Sequence, residues 1–234
     1  MRMTSGAEKG KIFVNYKSLL LRCKAIDIKT AENIMAIKAI LFDFGGVIAE
    51  EGFREGLYAI AAQFGLDKKR FFQLANEAVY ESGYVTGKGS EHDYWNEVRR
   101  HSGITASDEE LRREILSRFI PRDWMLQTVS SLKRQGIITA ILSDQSDWLD
   151  ELEAGYHFFQ YFDAVFNSYH LGKTKRDPAI FQDTLQELQV GAAEALFVDD
   201  NIGHIDRAAA AGLQTHYFED QQGFIKKLQE LGLQ

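Results

Sequence analysis

At 234 residues, 45% of them hydrophobic and 26% charged, the chain can bury a full-sized core and suits one α/β domain with a modest insertion. A formal net charge of −7 leaves no cationic surplus for a general nucleic-acid binder, and the single cysteine, Cys23, rules out an internal disulfide or a thiolate metal cluster. No run approaches the roughly 18 apolar residues of a membrane helix, so a soluble, cytoplasmic protein with no membrane partner is expected.

Residues 1–35 carry seven Lys/Arg against three acids, a local charge of +4, whereas the rest of the chain stands at −11. This basic stretch has no apolar h-region, and its acids argue against a mitochondrial leader. We read it as a non-catalytic extension, with the fold starting near Ala36.

From there, short apolar runs alternate with longer amphipathic ones. Strands are predicted at 37–42, 136–142, 163–166, 195–198 and 213–217. Helical patterns lie at 123–135, 178–189, 205–211 and 221–231, with Pro178 at a helix start and Gly212 after a helix end. Such alternation implies a parallel sheet with helices on both faces, a Rossmann-like α/β fold. One interval breaks it: residues 53–120 hold helical patterns at 55–64, 68–80, 91–101 and 108–119 and no good strand. We therefore expect a helical cap at 53–120, and a catalytic core made of 36–52 and 121–234.

Parallel sheets bind ligands beyond the carboxyl ends of their strands. Polar residues gather at those ends: Asp43 beside Gly45 and Gly46, Ser143 followed by Asp144, and the pair Asp199-Asp200. Asp43 alone is as well explained by turn capping. Two adjacent carboxylates at a strand end repel unless a cation intervenes, and with Asp43 they suit a hard, oxygen-seeking ion such as Mg²⁺. Capping of a helix near His204 accounts for one of the pair more readily than for both.

The run Ile40-Leu41-Phe42-Asp43-Phe44-Gly45-Gly46-Val47-Ile48 resembles the first motif of the haloacid dehalogenase-like superfamily. Ile141-Leu142-Ser143 is similar to its second motif, and the stretch 171–178 to its Lys-Pro-Asp-Pro region, with Lys175 on the lysine position and Lys173 as its rival. Phe197-Val198-Asp199-Asp200 matches the acidic fourth motif, and Asp93-Tyr94-Trp95 resembles part of the helical cap of phosphatase-like members. The resemblance implies an Mg²⁺-dependent phosphohydrolase for a small phosphorylated metabolite. Asp43 would be the nucleophile, Ser143 would contact the phosphoryl group, and Lys175 would supply positive charge. Asp43, Asp200 and the carbonyl of Gly45 would hold the metal, with Asp199 in its outer shell. Gly46, Asp144, Arg176 and Arg54 are further candidates for contact with substrate.

The sequence departs from the family pattern where most phosphatases place a second aspartate, the general acid and base: here stands Gly45. Three consequences are open. The leaving group needs little protonation, as in a sugar 1-phosphate or acyl phosphate; or Glu50, Glu51 or a cap residue supplies the proton; or the chain is a degenerate binding module. A further departure is Asp144, which would repel phosphate unless Arg176 or the metal compensates. A haloacid dehalogenase, with Arg54 on the halide, is the other enzymatic alternative. The three tryptophans read as packing residues, the six histidines do not pair at metal-ligand spacing, and Tyr58, Tyr84 and Trp95 are candidates for substrate contact from the cap.

Overall fold

The structure is a computed structural model that describes Phe13–Val14 and residues 36–233. The expectation for residues 1–35 otherwise lies outside the described residues. Five strands form the parallel sheet: β2 (Ala39–Phe42), β3 (Ile138–Ser143), β4 (Ala164–Asn167), β5 (Ala195–Asp199) and β6 (Gln214–Tyr217). A two-residue strand β1 (Phe13–Val14) runs antiparallel along β4, giving the order β1-β4-β3-β2-β5-β6.

β2 is central and every residue in it is buried, which explains its unbroken apolar sequence. Alternate strand residues enter opposite layers. Ile40, Phe42, Ile141 and Val198 pack on one face with α5 (Asp123–Arg134) and α10 (Gln221–Glu230). Leu41, Leu142 and Phe197 pack on the other with α8 (Ala179–Leu188) and α9 (Ile202–Ala210). Helices cover both faces, as the Rossmann-like expectation required.

Between β2 and α5 the chain forms α1 (Gly52–Gln63), α2 (Lys68–Glu81), α3 (Glu91–Ser102) and α4 (Asp108–Leu116). Capping boxes, Ser90 with Asp93 and Ser107 with Glu110, fix the starts of α3 and α4. α4 ends three residues before the pattern suggests. The turn that follows drives Phe119 into the core against Phe44, at a centroid distance of 5.6 Å. The apolar cluster on this face continues without a break from the sheet through Phe44 and Phe119 into α1 to α4.

Two helices were not expected, and the longer is α6 (Trp148–Tyr156). It is short and acid-rich, and its buried set of Trp148, Leu149 and Leu152 makes a weak stripe. A last short helix, α7 (Ser168–Leu171), follows β4.

Candidate active site

β3, β2 and β5 are neighbours, and Phe42 lies opposite both Ile141 and Val198 in the register. Residues just beyond the three strand ends therefore fall side by side, about 5 Å from strand to strand. Asp43 leaves β2 with its N–H on the carbonyl of Val198, 2.9 Å. Its Oδ1 accepts from the N–H of Phe44 (2.7 Å), from Ser143 Oγ (2.8 Å), and pairs with Lys175 Nζ (3.0 Å). Among the described residues no such partner falls on Oδ2.

Lys175 is fully buried, and its Nζ also reaches Asp199 Oδ2 at 2.6 Å. Burial opposes its charge, but Asp199, Asp43 and Asp144 outweigh it and hold the pKa above the ordinary lysine value. Asp199 is also fully buried. Burial pushes its carboxyl up, while Lys175 and His204 bring the balance below the usual aspartate value. Lys173, the rival lysine, is turned away and paired with Asp183. For Asp43 burial dominates, and with Asp199 it raises the pKa against the pull of Lys175 and Ser143.

Neither aspartate of the pair caps the next helix. Asn201 does so, its Oδ1 accepting from the N–H of Gly203 at 2.9 Å. That frees both carboxylates, and their fates differ. Asp199 points inward to Lys175 and His204, whereas Asp200 lines a cavity of about 390 Å³ with Asp43, Gly45 and Glu51. Burial, then Asp43, Asp199 and Glu51, push the Asp200 pKa up to about 7. Its carboxylate lies against Gly46, where φ is +80° and an added Cβ would fall 2.2 Å from Oδ2. Gly46 is thus both a backbone requirement and a space requirement.

The donor set fits a hard cation: carboxylates of Asp43 and Asp200, with Gly45 beside them, share one cavity wall and repel each other. The tightest cluster of metal-type ligands is different. Among the described residues, one ligand atom each from Asp43, Asp199 and His204 lie within 4.8 Å of one another. Lys175 Nζ already bonds two of those three residues and competes with a cation there. The Asp43–Asp200 side is the better seat.

The remaining candidates take other roles. Asp144 does not face a phosphate unpaired. Its Oδ1 accepts from the N–H of Lys175 (2.8 Å) and its Oδ2 from the hydroxyl of Tyr80 in α2 (3.2 Å). Arg176 lays its guanidinium on the Tyr80 ring, 3.4 Å from the centroid, instead of reaching toward an anion. Arg54 lines the cavity with Nε 3.7 Å from Glu51 and 3.5 Å from Glu55. Glu50 is bound to Arg122 (2.9 Å), while Glu51 lines the cavity and caps α1 by accepting from the N–H of Arg54 (2.8 Å). Burial, with Asp43 and Glu55 adding, raises the Glu51 carboxyl above its usual range.

Sequence reasoning missed His204, whose Nδ1 lies 3.1 Å from Asp199 Oδ2, because its partner is an aspartate five residues earlier and not another histidine. It missed Tyr80, whose partner is 64 residues away. Of the aromatics proposed to touch substrate, Tyr84 and Trp95 are buried in the core, and Tyr58 packs on Phe72. Trp148, taken as packing, lines the cavity.

A family model for haloacid dehalogenase-like hydrolases matches residues 37–212. The chain belongs to that family. It is 24% identical over 196 residues to the sesquiterpene phosphatase astK of Aspergillus oryzae, covering 83% of this chain and 96% of that protein. It is 25% identical over 194 residues to a D-ribitol-5-phosphate phosphatase of Bacteroides thetaiotaomicron, covering 80% and 93%. A further match, 32% identical over 111 residues, spans 46% of this chain and only 10% of a much longer relative. Among solved structures, a haloacid dehalogenase-family enzyme of Bacteroides thetaiotaomicron in complex with magnesium and inorganic phosphate superposes with a TM-score of 0.63 at 21% identity, covering 81% of this chain and 99% of that one. The strand-end carboxylates of this hydrolase thus sit on a shared fold, and no helix among its described residues is long and apolar enough to cross a membrane.

Proposed function

We propose that this hydrolase is an Mg²⁺-dependent phosphatase of small phosphate monoesters, working through a phosphoryl group carried on Asp43. The observation that carries the reading is the meeting of Ser143, Lys175 and the Phe44 N–H on Asp43 Oδ1, with no such partner on Oδ2 among the described residues, in the lining of a cavity. Phosphatase relatives spanning most of the chain support it.

In this reading Oδ1 is fixed and Oδ2 attacks phosphorus, forming the acyl phosphate as the bond to the leaving oxygen breaks. When phosphate binds, Ser143 turns its one hydroxyl proton from Asp43 Oδ1 to a phosphoryl oxygen, while the Phe44 N–H and Lys175 keep Oδ1 in place and Lys175 balances the negative charge that gathers on the transferred group. Water then attacks the acyl phosphate, releasing inorganic phosphate and restoring the Asp43 carboxylate. Asp43, Asp200 and the Gly45 carbonyl would hold Mg²⁺, with Asp199 outside them; the ion, when bound, offsets phosphate charge and orients the group. Residues 53–120 act as the cap over a core of 36–52 and 121–234.

Glu51 takes over the proton transfer that an aspartate at 45 performs elsewhere. Its Oε1 lies 3.8 Å from the place a Cβ at Gly45 would occupy, and Glu50 is held off by Arg122. General acid–base catalysis contributes about 10²–10⁴-fold, so Glu51→Gln should cut turnover of an alkyl phosphate by that order while sparing acetyl phosphate, whose leaving group needs no proton.

The decisive assay is hydrolysis of acetyl phosphate and p-nitrophenyl phosphate with Mg²⁺, repeated with EDTA. Activity lost on chelation supports the phosphatase. Chelator-resistant dehalogenation would support a dehalogenase instead, against which stands the engagement of Arg54 by Glu51 and Glu55. Inertness toward a broad ester panel would leave a binding module.

A further inference from the structure

The cavity above Asp43 has two chemically distinct parts. Its floor is charged: Asp43, Asp200, Glu51 and Asp144 face Lys175 and Arg54, and both cations are already engaged by carboxylates. Its wall is apolar. Phe53 of α1, Phe72 and Val79 of α2, Val85, and Trp148 of α6 line it. Phe53 meets Phe72 at 6.4 Å and Trp148 at 6.5 Å between centroids, so the aromatic rings form one connected surface. Phe53 and Phe72 are only half-buried.

The rim continues this character. Ile202 and Tyr217 line the same cavity, yet are 59% and 43% exposed, two of the four large apolar side chains so exposed among the described residues. Large apolar groups left in water beside a cleft mark a surface that a ligand covers.

Outside the charged floor, few polar side chains are placed to read hydroxyls. The Tyr80 hydroxyl is committed to Asp144. Ser146 Oγ accepts from the N–H of Trp148, and its carbonyl from Asn167. Gln145 is 9% exposed, Asn76 is half-buried on the wall, and Asn201 stands exposed at the rim with its Oδ1 committed to the N–H of Gly203. A leaving group with several hydroxyls would lose hydrogen bonds to water here and regain few. A second anionic group would meet four carboxylates, and among the described residues the cations that line the cavity, Lys175 and Arg54, already face carboxylates.

From this partition we infer that the substrate is a monophosphate ester of an apolar, uncharged alcohol, an aromatic or branched hydrocarbon, and not a sugar phosphate or a diphosphate. The inference rests on the phosphatase reading and narrows it. A cavity of about 390 Å³ falls at the small end of the roughly 300–1,000 Å³ typical of small-molecule sites, so it takes one ring system or a short chain.

The test measures kcat/KM with Mg²⁺ for 1-naphthyl phosphate and geranyl monophosphate against ribitol 5-phosphate, glucose 6-phosphate and fructose 1,6-bisphosphate. Acetyl phosphate reports the chemistry independently of the wall. The expected result is a preference of roughly 100-fold or more for the apolar esters. Tyr217→Ser and Ile202→Ser, at exposed positions where folding is not at risk, should each lower kcat/KM for the apolar esters severalfold by raising KM, and Phe72→Ser should lower it roughly tenfold or more. Naphthyl or geranyl as the better arm tells an aromatic from a branched-chain substrate. Sugar phosphates hydrolysed as well as the apolar esters, or rim variants without effect on KM, overturn the substrate class while the phosphatase stands. No turnover of any ester, acetyl phosphate included, overturns both.

Discussion

Asp199 and Asp200 are adjacent in sequence and opposite in circumstance. Asp199 belongs to a closed half of the site, where Lys175 and His204 saturate it and hold its pKa down. Asp200 belongs to an open half with Glu51 and Asp43, where burial and like charge push its pKa up to about 7. Charge in the closed half is balanced by the protein itself. In the open half the described residues offer Arg54, already facing Glu51 and Glu55, and a divalent ion bound there would complete the balance. Asp43 belongs to both, with Oδ1 bound to Ser143 and Lys175 of the closed half while the residue also lines the open cavity.

The strongest test of that division removes the residue common to both halves. Asp43→Asn keeps the shape but not the nucleophile, and turnover should fall by about 10⁴-fold or more in steady-state assays. Next, Lys175→Met leaves a buried Asp199 carboxylate without its cation, and urea unfolding should show a loss of about 3–5 kcal/mol. An unchanged midpoint would mean the closed half is not held by this pair. The open half should respond in the opposite sense. Without metal, the folded protein binds a proton at Asp200 that an unfolded chain, with an aspartate pKa near 3.8, does not bind between about pH 4 and 7. In EDTA, stability should therefore rise as pH falls through 7 toward 4, and Asp200→Asn should flatten that trend. Urea midpoints at pH 5 and pH 8 measure it. The smallest effect belongs to the link between α2 and the loop after β3. Tyr80→Phe removes one hydrogen bond to Asp144 but keeps the stack on Arg176, and should cost about 1 kcal/mol, read as a modest fall in kcat with KM nearly unchanged.

The sheet was legible because β2 to β5 are short apolar runs, each ending in or followed at once by a polar residue, and the pattern recurs; β6, Gln-Thr-His-Tyr at the sheet edge, is the weak case. The helices of the insertion were legible from their periodicity, with ends misjudged where a tertiary contact decides them. α4 stops early because Phe119 is drawn inward, and α9 starts early because Asn201 caps it. The strand-end residues Asp43, Ser143, Asp199 and Asp200 could be named because strand ends are visible in sequence. Side chains that arrive from elsewhere could not. Tyr80, in the last turn of α2, reads as an ordinary apolar-face residue until its hydroxyl is seen on Asp144. Arg176 looks like an anion contact until its stack on Tyr80 is seen.

Phe44, one residue past the nucleophile, stacks on Phe158 at 4.8 Å and lies beside Phe119, whose own ring presses on Gly52 at the head of the inserted helices. Nucleophile loop and insertion are therefore cemented by the same aromatic layer. Cutting out residues 53–120 and bridging the gap would strip the cover from that layer, and the remainder should be lost as an insoluble product, not recovered as a smaller enzyme.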